Sequence, residues 1–190
     1  HLALNTERLL LVLATPRLAA DHAAYFARND AHFRPWDPPR PPGLLTEAHW
    51  LQQLARAEAD FAAGTAVRLV AFTRAAPRQM VARINLTQIA RGPFQSAMLG
   101  YAIDAAHEGQ GLMREALTAV IGYAFGELKL HRLEANVRPE NLRSLRLLER
   151  LGFERTGLAP RYLFVDGAWR DHMQHQRINP DFDDKTVAPA

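Results

Sequence analysis

The chain contains no cysteine. Disulfide frameworks and cysteine-ligated zinc sites are therefore excluded. No apolar run approaches the roughly 20 residues that a membrane span needs. The N-terminus lacks the basic-then-apolar order of a secretory signal. The 8 histidines are scattered and show no HExxH or comparable ligand spacing, so no metal is expected. Lysine is scarce, and nearly all 23 basic residues are arginine. No repeat and no linker divides the chain. These absences leave a cytoplasmic protein with no membrane association as the expectation.

What is present fits one packed unit. At 190 residues and 48% hydrophobic content, the chain can bury about 70% of its unfolded surface around a single core. The expected organisation is one domain over residues 1–178 and a polar, disordered tail over 179–190. The net charge is +3 and the sequence pI about 9.7. One reading is a basic patch for nucleic acid or a ribosomal surface. The other is that arginine serves here as the ordinary solubilising residue. The arginines do not cluster or alternate with aromatics, which favours the second, and no direct nucleic-acid site is evident.

The most informative stretch is His107–Leu117, HEGQGLMREAL. It follows an apolar run, Met98–Ile103, that reads as a buried strand. It precedes Leu112–Leu128, where apolar residues recur at helical spacing. A glycine turn thus joins a strand to a helix. Gly109 and Gly111 permit unusual dihedrals and close approach of the backbone to a ligand. The first N–H groups of the helix lack intrahelical partners and carry the positive end of its dipole. That combination suits phosphate. It is not a P-loop, since no Lys-Ser or Lys-Thr follows, and the third glycine of the dinucleotide fingerprint is missing. On local sequence alone, a tight turn with no ligand remains open.

A second unit follows. His131–Val137 alternates as a short strand, and Pro139 and Asn141 end it. Leu142–Leu151 reads as a short helix with Leu142, Leu145, Leu148 and Leu151 on one face. Gly152 closes it. Elsewhere, Arg8–Ala14 reads as a strand, and Thr15 and Pro16 open a helix over Leu18–Ala27. The prolines of Phe33–Gly43 preclude regular structure. Leu45–Ala63 is a long amphipathic helix with Thr46 as its cap. Val67–Thr73, Met80–Ile89 and Ala97–Ile103 are strands, as are Glu154–Gly157, Tyr162–Val165 and a return strand from Trp169. Asp166–Gly167 is the hairpin turn between the last two.

A glycine turn after a strand, then a helix, then strand, "EN..S", helix and "LGF" resembles the acetyl-CoA-binding half of the GNAT superfamily (GCN5-related N-acetyltransferases). Within it, the chain is similar to the bacterial enzymes that acetylate the N-terminal residue of ribosomal proteins, the alanine-directed RimJ type in particular. The similar segments include HFRPWDPP (32–39), ARGPFQSAMLGYAI (90–103), GQGLMREALTAVIGYAF (109–125), HRLEANVRPEN (131–141), RLGFERTG (150–157) and VDGAWRDH (165–172). They span roughly Thr6 to Pro180. The glycine turn and "LGF" mark the superfamily. The PWDP and DGAWRDH segments point to the subgroup.

The resemblance implies an α/β fold with a central, mixed, splayed sheet and helices on both faces. It places the pantetheine arm of acetyl-CoA in a splay between the strand ending at Ile103 and the strand His131–Val137. The pyrophosphate would rest on the N–H groups of Glu108, Gly109, Gln110, Gly111, Leu112 and Met113. Family members often carry Arg or Gln where this chain has Glu108, so its side chain is expected to point outward. Asn141 would contact pantetheine, and Ser144 would protonate or hydrogen-bond the departing thiolate. The tyrosine that many members use for that task aligns with Leu148 and is missing. For both Asn141 and Ser144 the alternative is a helix cap.

The chemistry is acetyl transfer to an amine. An α-amino group, with a pKa near 7.7–8.0, needs a weaker base than lysine does. Glu134 and Asn136 share a strand face. Some relatives have a catalytic glutamate where this chain has Asn136, and others have a base where it has Leu163. Glu134 remains as a water-mediated base, or else as a carboxylate paired with Arg132 or Arg138. Trp36 and Asp37 are candidates to line a peptide site, with Asp37 drawing the substrate ammonium, unless Trp36 anchors its loop. Tyr101 and His172 are candidates for substrate contact or simple packing.

The expected activity is acetylation of a protein N-terminus beginning with Ala or Ser, probed against two others. One is acetylation of a small amine. The other is a non-catalytic acyl-CoA-binding or ribosome-associated factor. A monomer and a homodimer are both compatible with the sequence.

Overall fold

The computed structural model describes residues 2–187. Eight strands form one sheet: β1 (Ala3–Asn5), β2 (Leu9–Leu13), β3 (Val67–Thr73), β4 (Met80–Ala90), β5 (Ser96–Ile103), β6 (Arg132–Val137), β7 (Glu154–Val165) and β8 (Ala168–Ile178). Their spatial order is β1-β2-β3-β4-β5-β6-β8-β7. The helices are α1 (Ala19–Arg28), α2 (Asp30–Phe33), α3 (Glu47–Ala62), α4 (Leu112–Gly126) and α5 (Leu142–Arg150). Adjacent strands are antiparallel except β5 and β6, which α4 connects as a parallel crossover.

The sheet is buried on both faces at its centre. In β3, Leu69 and Ala71 join one cluster with Leu117, Val120, Ile121 and Ala124 of α4 and Leu148 of α5. Val70 and Phe72 join the other with Tyr25, Phe26, Phe33 and Leu54. Alternation along a strand sends successive side chains to opposite faces, so β3 is apolar over the continuous run Leu69–Phe72 because helices cover both sides there. This is the mixed α/β architecture expected from the sequence.

Four local expectations change. An edge strand, β1, pairs with β2 through Leu4 and Leu11; three residues gave too short a pattern to read. Pro16–Leu18 forms a 3-10 turn before α1, and Thr15 makes no side-chain cap bond. The two short strands expected over 154–165 are one strand whose register slips between Ala159 and Leu163. The tail expected to be disordered from Asn179 begins ordered. Asn179 is buried and donates from its amide to the Leu130 carbonyl at 3.1 Å, and Phe182 packs edge-on to His131. Residues 188–190 lie outside the described residues. No described helix is long and apolar enough to cross a membrane.

The feature that positions the site is the β5–β6 junction. Pairing runs from Ser96–Arg132 to Met98–Glu134 and stops there. β5 continues against β4 to Ile103, and β6 continues against β8 to Val137. The sheet therefore parts between Gly100–Ile103 on one side and Asn136–Val137 on the other.

Candidate active site

One end of the opening is the turn before α4. Gly109 and Gly111 have φ of 73° and 78°, left-handed values that a side chain resists. Gly111 is the α4 cap, with no side-chain hydrogen bond to the helix. The first α4 N–H groups thus have no partner from the cap residue, and they face the end where an anion is favoured.

The turn is held from both sides. Arg8 donates from Nη1 to the Gln110 carbonyl at 2.9 Å and from Nε to Glu115 at 2.7 Å. Glu115 also accepts from the Thr6 hydroxyl at 2.5 Å and the Arg8 N–H at 2.7 Å. Burial opposes the Glu115 charge, but these hydrogen bonds outweigh it and hold the carboxyl below its usual range. At the other side, buried Asp104 accepts from Arg28 Nε at 2.6 Å and from the Ala106 N–H at 3.1 Å. Burial again opposes the charge, and the Arg28 and Ala106 bonds again prevail, so Asp104 is also held low. Asn29 accepts from the Ala105 N–H at 2.9 Å.

Glu108, whose side chain is expected from the sequence to point outward, is paired with a cationic neighbour. It forms an ion pair with Arg143 of α5 and lies 3.3 Å from His32 Nε2. The guanidinium partners the negative charge that would otherwise oppose a phosphate. The residues present therefore fit a phosphate-bearing ligand: left-handed glycines, uncapped N–H groups and a partnered carboxylate.

Across the opening, Asn141 caps α5 and its Oδ1 accepts from the Ser144 N–H at 3.2 Å. Asn141 thus does the capping considered for either residue. The Ser144 hydroxyl is left free of that duty and meets the Tyr101 hydroxyl at 2.6 Å. Tyr101 lies beyond Met98, in the part of β5 that has left β6. Burial pushes its phenol up to about 12, the Ser144 bond opposing slightly. Ile103 ends β5 at the same opening, half-buried against the sheet core.

Glu134 sits at the closed end, opposite Met98, with Arg132 Nη1 3.7 Å away. It is one of the two pairings foreseen. Asn136, on the same strand face, donates from its amide to the Tyr162 hydroxyl at 3.0 Å. The register slip in β7 carries Tyr162 there, with Arg161 at φ 49° and its N–H on Asp171 at 2.8 Å. His172 is buried in β8, its ring 5.3 Å from that of Tyr162. Its Nδ1 lies 3.0 Å from the Arg170 carbonyl, so Nδ1–H donates there and Nε2 faces away from that bond.

The proline loop meets the opening through Arg138, which follows β6. Arg138 donates from Nη1 to the Pro35 carbonyl at 2.5 Å and stacks 5.4 Å from the Trp36 ring. Trp36 is nonetheless 38% exposed. Asp37 is not free to draw an ammonium group. Arg83 donates to both of its oxygens at 2.5 and 2.6 Å, and the Arg83 guanidinium lies 5.1 Å from the Phe26 ring centroid and 5.4 Å from that of Phe33. A half-buried arginine needs a counter-charge, and Asp37 supplies it.

The structure thus brings Tyr101, Asn136, Asn141 and Ser144 to one opening beside the Glu108–Met113 turn. Sequence reasoning did not single out Tyr162, Arg8, Glu115, Arg143 or Arg83. Most of these act through partners far away in sequence, and only the gap between the strand-like runs of 154–165 hinted at Tyr162. No cluster of three metal-ligating side chains occurs among the described residues.

Comparison with known proteins identifies the family. The Acetyltransferase (GNAT) domain model matches residues 8–154. The [Ribosomal protein uS5]-alanine N-acetyltransferase of Escherichia coli (strain K12) is 37% identical over 179 residues, covering 94% of this chain and 92% of that protein. The ribosomal-protein-S5-alanine acetyltransferase from Vibrio fischeri superposes with a TM-score of 0.92 at 31% identity, covering 96% of this chain and 100% of that one. Mycobacterium smegmatis RimJ in complex with CoA-disulfide gives 0.84 at 29% identity, over 90% of this chain and 81% of that one. The chain belongs to the GNAT acetyltransferase family and is an acetyl-CoA-dependent N-acetyltransferase.

Proposed function

We propose that this enzyme transfers the acetyl group of acetyl-CoA to the α-amino group of a protein N-terminus, that of a ribosomal protein beginning with Ala or Ser. The observation that carries the reading is the near-complete overlap with an alanine-directed ribosomal enzyme. The overlap includes the proline loop and the final hairpin, which flank the acceptor side of the opening, as well as the acetyl-CoA half. Such an acceptor places the reaction in the cytoplasm.

The donor lies along the opening, its pyrophosphate on the Glu108–Met113 turn and its pantetheine arm beside Ile103 and Asn141. Bound there, it supplies an activated acetyl thioester. Ser144 hydrogen-bonds the leaving sulfur. The acceptor amine approaches from the face bearing Glu134 and Asn136. Asn136 and Tyr162 offer it neutral hydrogen-bond partners, and His172 supports Tyr162 through ring contact. Glu134 acts at most through water, since Arg132 already shares its charge. An α-amine tolerates so weak a base because part of it is neutral near pH 7. Trp36, held by Arg138, borders the peptide's path.

The test is a peptide panel differing in the first residue, read by mass spectrometry beside spermidine and an aminoglycoside. Ala- and Ser-initiated peptides should be acetylated fastest. Rapid turnover of a small amine with no activity on any peptide would replace this reading with small-amine acetylation. Tight acetyl-CoA binding with no turnover on any acceptor would indicate a non-catalytic factor.

A further inference from the structure

The hydroxyl pair that spans the opening has a direction. Tyr101 and Ser144 approach to 2.6 Å, and either oxygen is close enough to donate. A phenol is the more acidic of the two groups and the poorer acceptor, because its lone pair is delocalised into the ring. An alkyl hydroxyl keeps both lone pairs for accepting. The favoured arrangement has Tyr101 O–H donating to Ser144 Oγ. The Ser144 hydrogen must then point elsewhere, and the Ser144 backbone is already committed to Asn141 through its N–H. The two side chains come from opposite lips of the sheet, one on the parted end of β5 and the other in the first turn of α5.

We propose that Tyr101 is a positioning residue for the transfer: by donating to Ser144 across the opening, it turns the Ser144 hydroxyl hydrogen toward the leaving sulfur. This rests on the assignment of Ser144 to the sulfur. In the transfer, the acceptor nitrogen bonds to the acetyl carbon and the carbon–sulfur bond breaks. Its electron pair leaves on sulfur, where the Ser144 hydrogen bond stabilises it, and sulfur then takes a proton from solvent. The proton lost by nitrogen goes to water. Neither hydroxyl ends in a changed protonation state. A phenol pushed up to about 12 suits this role: it stays protonated and donates without giving the proton away.

The experiment compares Tyr101→Phe, Ser144→Ala and the double variant. Turnover and acetyl-CoA affinity are measured, together with the pKa of the bound coenzyme A thiol, read from thiolate ultraviolet absorbance against pH. Ser144→Ala, which removes a hydrogen-bond donor to the developing negative charge, should lower kcat by about 10²- to 10³-fold. Tyr101→Phe should lower it about 2- to 12-fold, the span of one neutral hydrogen bond. Its acetyl-CoA affinity should be retained and its bound-thiol pKa should rise. In the Ser144→Ala background it should do nothing further. Additive losses, or an unmoved thiol pKa, would make Tyr101 a packing residue and overturn the inference. If Ser144→Ala is slow but Tyr101→Phe is normal, the inference fails and the Ser144 assignment stands. If Ser144→Ala is normal, both fail. Should Tyr101→Phe not fold, 3-fluorotyrosine at position 101 keeps the ring and strengthens the donor. It should lower the bound-thiol pKa, and no change would refute the proposal.

Discussion

Gly111→Val tests the donor site at its narrowest point. Gly111 caps α4 at φ 78° and ψ 0°, where a side chain costs about 1–2 kcal/mol. A new Cβ would meet only Arg8 Nη2, at 3.5 Å, an ordinary contact. The cost is therefore conformational, and steric collision adds little. The loop can hold its shape and lose stability, or it can relax into the right-handed region and turn the α4 N–H groups away from the phosphate. If relaxation takes up the whole cost, acetyl-CoA binding weakens by about 5- to 30-fold. If the loop holds, the melting temperature falls by roughly 2–8 °C for a chain of this size. Gly122→Ala is the control. Gly122 lies within α4 with open space around it, so the same kind of change should stabilise by about 0.5–1 kcal/mol and leave affinity alone. Calorimetric titration with acetyl-CoA and thermal denaturation on all three proteins provide the readings. A Gly111→Val protein that keeps both its melting temperature and its affinity would refute the assignment of the turn.

Asp37→Asn should lose about 1–3 kcal/mol of stability, because it leaves the half-buried Arg83 without its counter-charge; chemical denaturation measures this. The KM for an Ala-peptide should barely move, and a large rise with stability intact would restore Asp37 as the ammonium-binding group. Asp104 and Glu115 have folded pKa values below their unfolded ones, so the stability they contribute is present above roughly pH 4 and is lost as pH falls through the folded values. Glu115→Gln should lower the melting temperature at neutral pH and flatten its decline in acid, and an unchanged acid limb would contradict the network around the turn.

The parts of this molecule that were legible in the sequence are those that local pattern determines. The glycine turn showed itself because positive φ selects glycine at 109 and 111. α4, α5 and the central strands showed themselves through their periods. Thr46 caps α3, accepting from the His49 N–H at 3.3 Å, as its position before an apolar-periodic run implied. What stayed hidden depends on long-range pairing of polar groups. Nothing near Glu108 in sequence announces Arg143, and nothing near Asp37 announces Arg83 on a distant strand. The Arg8–Glu115 pair joins residues separated by more than half the chain. Tyr101 and Ser144 were each noticed, but their hydrogen bond exists only because the sheet parts between them. Tyr162 reaches Asn136 through a register slip, and strand alternation cannot show a slip until the partner strand is known.

The account centres on which nitrogen is acetylated. The direct measurement uses a short peptide beginning with Ala and containing one internal lysine, incubated with isotopically labelled acetyl-CoA and sequenced by tandem mass spectrometry. A second peptide, identical but blocked at its α-amino group, runs beside it. The label should appear on the first residue of the free peptide alone, and the blocked peptide should remain unmodified. Label on the lysine of the blocked peptide at a comparable rate would contradict the account.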